Sequence, residues 1–353
     1  MSRLPLAAVL LVLATPPLSG QTAKSYTLAG NRVGIYNLAG EVTIIGGRGG
    51  DVTVEVSPGG GDAGRLTVEQ GSVRGAETLR VIYPSDRIVY RPLGRGSSTT
   101  LRVREDGTWA WDDDSREDRG NRDGRRVTLR GDGSGLEAYA NLRITVPDGK
   151  SLTVALGAGR LEVTSVDGTL RLSAAAAEVS ARQSRGTITI ETGSGDIRAS
   201  DLDGQVSLDT GSGDVTLTGH KSGRLDIDTG SGSVTGSNLE APELRIDTGS
   251  GDIRLDGIRV PRLDLDTGSG SVRAELGGPL ESVVVETGSG DVSLRLPEGA
   301  GATVDLDTGS GGFEVGLPLE LVRKDENSLR GRIGDGRARI HVETGSGDIA
   351  LLK

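Results

Sequence analysis

Two sets of carboxylates recur through the second half of this 353-residue sequence at a spacing that could hold a cation. They bracket the motif TGSG, which occurs eight times, with threonines at 192, 210, 229, 248, 267, 287, 308 and 344. An acid precedes each threonine, and in most copies another follows the second glycine, as in ETGSGDI at 191–197. If the copies stack, Glu191, Asp209, Asp228, Asp247 and Asp266 form one column. Asp196, Asp214, Asp252 and Asp291 lie near a second, interrupted by Ser233, Ser271 and Gly312. Carboxylates about 4.8 Å apart repel by about 1 to 3.5 kcal/mol for effective dielectrics of about 80 to 20. A cation relieves that repulsion, and calcium favours such oxygens. Glu191, Asp196, Asp209, Asp214, Asp228, Asp247 and Asp252 are therefore the calcium candidates. The spacing departs from the calcium-binding nonapeptide roll, which repeats G-G-x-G-x-D on both turns of every coil. Arg198, Arg224, Arg245, Arg254, Arg262 and Arg273 also interleave with the acids and can neutralise them across a stack. Acids that only hold a turn are the preferred reading, with a calcium column as the alternative.

Other chemistry is weakly represented. An activated serine or threonine needs a positioned base, and the repeated hydroxyls have none. The two histidines, His220 in a turn and His341 in a strand, read as ordinary surface or strand residues rather than a catalytic pair. No P-loop, dinucleotide fingerprint or paired-histidine metal motif is present, so no cofactor is expected beyond the calcium alternative. A net charge of −10 argues against nucleic acid as a partner, which requires a concentrated basic surface. Two Trp, five Tyr and one Phe leave few stacking surfaces for sugars or bases. Trp109 and Trp111 stand together in a polar stretch and are the candidates for a partner-binding loop.

The elements that position these residues follow from the period. Successive TGSG threonines are 18, 19, 19, 19, 20, 21 and 36 residues apart, the last gap spanning two periods with one degenerate copy between. Within a copy, Ile188 and Ile190 alternate with polar residues, the signature of a half-buried strand. Ile197 and Ala199 alternate on the opposite parity, so the chain turns a corner within Gly193-Ser194-Gly195. Glycine suits such a corner because it adopts positive φ at little cost. Asp201-Leu202-Asp203-Gly204 turns the chain back. Two strands and two turns per period cannot bury their apolar faces alone and must stack. The expectation is an all-β, single-stranded parallel β-helix (a β-solenoid) with rungs of about 18–21 residues.

Residues 1–20 read as a secretory signal, with Arg3, the apolar run Leu4–Leu13, Pro16-Pro17 and cleavage near Gly20. That run is too short to span a bilayer, and no other segment approaches the length, so no transmembrane helix is expected. Gln21 stands where a lipoprotein would carry its cysteine, and the chain has no cysteine. An exported protein is expected, in the periplasm, on the outer surface or secreted. Residues 21–56 carry N-terminal strands that read as the first rungs. Residues 57–150 form a less regular β region with a charged loop at 104–126, and 151–353 form the repeat array.

Three features together carry a resemblance: the [IVL]-[DE]-T-G-S-G-D-[IV] units, the V-x-I-Y-N-L-A-G-E-V-T-I-I-G-G opening at 33–47, and L-R-I-T-V-P-D-G-K-S-L at 142–152. The sequence resembles the bacterial β-strand-repeat adhesin family, domain of unknown function 4097. The resemblance implies an exported β-helical protein with a surface or adhesive role, and no catalytic residue. The expected function is a non-enzymatic adhesin or envelope scaffold for a surface glycan or envelope protein. Two alternatives are a β-helical polysaccharide-processing enzyme, which needs a local and non-repeating carboxylate pair, and a self-assembling solenoid. The latter would associate end to end through an exposed edge at Ile349–Lys353.

Overall fold

The computed structural model describes residues 23–109 and 124–353. They are all-β: among them there is no α-helix, only the short 3-10 turns Ala63–Arg65 and Arg91–Leu93. The repeats stack as parallel ladders in which equivalent residues face each other. Ile188 pairs with Val206, Val206 with Leu225, Leu225 with Leu244, Leu244 with Leu263 and Leu263 with Val283. Beyond the corner, Ile197, Val215, Val234, Ile253, Val272 and Val292 form a second column. Every residue in both columns is buried, and the residues that alternate with them along each strand point away from the core. A fully buried Val, Leu or Ile contributes about 1.5–3 kcal/mol, so columns of aliphatic residues replace the aromatic core this composition lacks.

The front of the stack departs from chain order. Arg32–Gly47 forms a rung beside Lys150–Thr164, across more than a hundred residues of sequence. Beyond it the two faces are covered separately. Ala76–Ile82 pairs in parallel with Val33–Tyr36, and Thr67–Val73 runs antiparallel to it. Tyr139–Pro147 pairs in parallel with Val42–Gly47, followed by antiparallel Val52–Gly59 and Lys24–Leu28. A separate three-stranded sheet comprises Arg87–Val89, Ser98–Val103 and Arg125–Arg130. A buried polar knot ties the first rung to its cover. Tyr83 Oη donates to Asn37 Oδ1 at 2.8 Å, and Asn37 Nδ2 donates to the Ala140 carbonyl at 2.7 Å. Burial raises the Tyr83 phenol well above its ordinary range.

The far end corrects two expectations. Ala338–Thr344 lies between Ser282–Thr287 and Ala302–Thr308, and Ile349–Leu352 lies between Val292–Arg295 and Phe313–Val315. The last TGSG copy is thus inserted inside the stack, and the edge on which end-to-end pairing relied is already paired on both sides. The 36-residue gap contains no degenerate rung either. Leu319–Lys324 and Ser328–Ile333 form an antiparallel hairpin laid on Ala302–Thr308. On that face the outermost strand is Leu319–Lys324, with Leu321 53% and Val322 76% exposed; on the other face Phe313–Val315 is the edge strand. The pairing register slips at Val322, and Glu320, Arg323 and Lys324 flank it. Bulges and charges of this kind blunt a sheet edge.

Removing residues 349–353 therefore opens an interior seam. The truncated chain is expected to melt at lower temperature and to gain protease-sensitive sites between 313 and 344. An unchanged melting curve would contradict the inserted placement.

Candidate functional site

The TGSG corner is built around an inward threonine. All eight threonines are buried, and each hydroxyl donates to a backbone carbonyl of the adjacent rung. Thr210 reaches Gly195 at 3.1 Å, Thr229 reaches Gly213 at 3.1 Å, Thr248 reaches Gly232 at 3.0 Å and Thr267 reaches Gly251 at 2.9 Å. In five copies the same oxygen also accepts the N–H of the glycine three residues on, as Gly251 N to Thr248 Oγ1 at 3.1 Å. One hydroxyl thus closes its own corner and fastens it to the rung beside it. The order of these bonds agrees with the inserted strand: Thr344 donates to Gly290, and Thr308 donates to Gly347.

The glycines are required by close approach more than by torsion. Among them only Gly195 has positive φ, at 145°. A Cβ on Gly232 would overlap the carbonyl oxygen of Gly213, and one on Gly251 would overlap that of Gly232. The opposite corner does use left-handed backbone. Ser165, Gln183, Asp201 and Asn238 stack in one column with φ of 51–56°, joined by Gly219 and Gly257 at 67°. Sequence reasoning missed this column because its residue types vary. Their 18–19-residue spacing is the signal that could have revealed it.

The two acid columns behave differently. Asp214 Oδ1 accepts the N–H of Ser233 at 2.8 Å, Asp252 Oδ1 that of Ser271 at 2.8 Å, and Asp291 Oδ1 that of Asp348 at 2.9 Å. Asp196 Oδ1 accepts from Asp214 N at 3.1 Å, while Oδ2 binds Arg198 at 2.8 Å. These carboxylates hold backbone donors at the corner, and Ser233 and Ser271 separate like charges between Asp214 and Asp291, whereas Asp196 adjoins Asp214 and Asp291 adjoins Asp348. The outer ladder is unbroken instead. Glu191, Asp209, Asp228, Asp247, Asp266, Glu286, Glu343 and Asp307 face one another from rung to rung. Arg245 approaches Asp247 at 3.8 Å. Desolvation, then Asp228, raises the Asp209 pKa; desolvation, then Asp247, raises that of Asp228. Asp266 is raised by desolvation, Asp247 and Asp264. A shallow groove lined by Ser207, Asp209, Asp226, Asp228, Arg245 and Asp247 crosses this face.

None of the seven calcium candidates belongs to a convergent ligand group among the described residues. The group that converges there is Asp305, Asp307 and His341. Trp109 is 5% exposed and packs with the core instead of facing a partner; Trp111 lies outside the described residues. His220 is also internal, in a column with Leu202 and Leu239. Its Nε2 lies 3.2 Å from the Gly223 carbonyl, and desolvation lowers its pKa.

Stacked parallel rungs, inward threonines and a flat polar face define a solenoid-like, all-β repeat protein. The chain belongs to the Toastrack DUF4097 family, whose model matches residues 139–352. No curated protein matches it. Among solved structures, a candidate cell adhesion protein from Clostridium sporogenes ATCC 15579 is similar at 12% identity and TM-score 0.21, covering 94% of this chain and 98% of that one. A candidate lipid binding protein from Parabacteroides distasonis ATCC 8503 is similar at 11% identity and TM-score 0.37, covering 94% and 96%. Neither superposition is close enough to argue from.

Two predictions follow from the corner and the ladder. Thr248→Val keeps the shape but strands two buried backbone groups, and is expected to cost about 1–3 kcal/mol in urea unfolding. Thr248→Ser should cost less; equal losses would refute the latch. The second concerns pH. A carboxyl raised above its ordinary value of 3.8 stabilises the fold at low pH, and that contribution is lost as pH rises through the folded pKa. Asp228→Asn should therefore raise the urea midpoint at pH 7, with the gain shrinking as pH falls toward 3.8. A gain that grows on acidification has the wrong sign.

Proposed function

We propose that this protein is an exported, non-enzymatic adhesin or envelope scaffold, a single-stranded parallel β-helix with rungs of about 18–21 residues. Its binding surface is the outer acid ladder around Asp209, Asp228 and Asp247. The observation that carries this reading is a division of labour between the two acid columns. The corner acids are committed to backbone hydrogen bonds, whereas the outer acids border an open groove, where desolvation and a neighbouring acid raise the pKa of Asp209 and of Asp228. Recognition by such a face is electrostatic and repetitive, suited to a surface glycan with cationic groups or to a basic envelope protein. The N-terminal signal read from the sequence supports export; residues 1–20 lie outside the described residues.

The test is an array of surface glycans and envelope proteins, probed with the wild-type chain and an Asp209→Asn/Asp228→Asn/Asp247→Asn variant. Saturable, salt-sensitive binding that the triple variant loses is expected. Binding indifferent to the three substitutions would overturn the assignment of the face. Depolymerisation of a glycan on the array would overturn the non-enzymatic reading.

A further inference from the structure

The outer ladder changes character at one place. Threading Ala338–Thr344 between Ser282–Thr287 and Ala302–Thr308 sets His341 opposite Asp305 and Glu343 opposite Asp307. Asp305, Asp307 and His341 each bring a ligand atom within 4.8 Å of the other two, and all three are half-buried. Elsewhere this face carries carboxylates, singly or in pairs such as Asp226 and Asp228, with arginine among them; here an imidazole nitrogen joins two carboxylates. Arg330 Nε donates to Asp305 Oδ1 at 2.8 Å, which fixes that carboxylate from the far side of the group. The side chains of Asp307 and His341 have no hydrogen-bond or ion-pair partner among the described residues.

Donor chemistry decides which ion would fit. Calcium takes six to eight oxygens, and an imidazole contributes nothing to such a shell. Imidazole with carboxylate suits zinc and its neighbours. Ligand atoms on one such ion, at bonds of about 2.0–2.2 Å, lie no more than about 4.4 Å apart. Small rotations of the exposed ends of these side chains close the remaining gap. We propose that Asp305, Asp307 and His341 bind a divalent transition-metal ion of the zinc type. The ion would clip the inserted strand to its neighbour, a role independent of recognition along the rest of the ladder.

Isothermal titration of the tag-free full chain with zinc, after chelator treatment, tests this directly. One equivalent is expected to bind and to raise the melting temperature. His341→Gln and Asp307→Asn should each weaken binding at least about tenfold, since even outer-sphere partners of metal ligands are worth that much. Asp256→Asn should leave it unchanged, and the metal-free variants should melt with the metal-free wild type. No zinc binding, equal binding by His341→Gln, or calcium bound as tightly as zinc would each overturn the proposal.

Discussion

The corner hydrogen bond from threonine to the adjacent rung governs the rest of the architecture. It requires backbones so close that a methyl group on Gly232 or Gly251 has no room. It also requires a hydroxyl that faces inward, where no water competes for the carbonyl. Serine would supply the oxygen, but the β-branched side chain is also restricted at χ1 and fills the strand end. With glycine and threonine fixed, the only variable positions near the corner are the two that point outward. Those positions carry the acids.

The period, the corner and the identity of the buried residues were legible in the sequence because each is local. Parity reversal across Gly193-Ser194-Gly195 reports which side chains face in, and Ile188, Ile190 and Ile197 do so. Neighbour order was not legible. Every TGSG copy presents the same ladder to the next, so nothing in the motif distinguishes Thr287 followed by Thr308 from Thr287 followed by Thr344. The chain takes the second course. For the same reason the proximity of Asp305 to His341 cannot be read from spacing. The burial of His220 and Trp109 was not legible for another reason. His220 sits between Gly219 and Lys221, and its burial comes from Leu202 and Leu239 on the adjoining rungs; Trp109 precedes a charged stretch and joins the core from there.

The ends answer a problem that any stack of rungs creates. An unpaired rung leaves a row of backbone donors and acceptors exposed on both faces. Antiparallel strands that share no repeat motif close both faces at the front, ending in Thr67–Val73 and Lys24–Leu28, and one face at the far end, ending in Leu319–Lys324; the other far face ends at Phe313–Val315, which among the described residues pairs with Ile349–Leu352 alone. Ile349–Leu352, held between two partners, stands at neither edge. On the face of Ala302–Thr308 the far edge is a bulged strand rich in charge, a poor template for a further strand.

The contrast between the acid columns bears most directly on function. Where Asp214 and Asp252 hold backbone N–H groups, serine alternates with aspartate and the repulsion between rungs is halved by spacing. Where acids of that column do adjoin, as Asp196 with Asp214 and Asp291 with Asp348, one carboxylate accepts the other's backbone N–H. In the outer ladder acids occupy consecutive rungs, and Asp209, Asp228 and Asp266 are each raised by desolvation and by another acid. Nothing in the corner needs these carboxylates, since the latch is made by threonine and the cap by the other column. On the proposed reading, this repeated cost serves recognition of a positively charged partner that meets the face along its length.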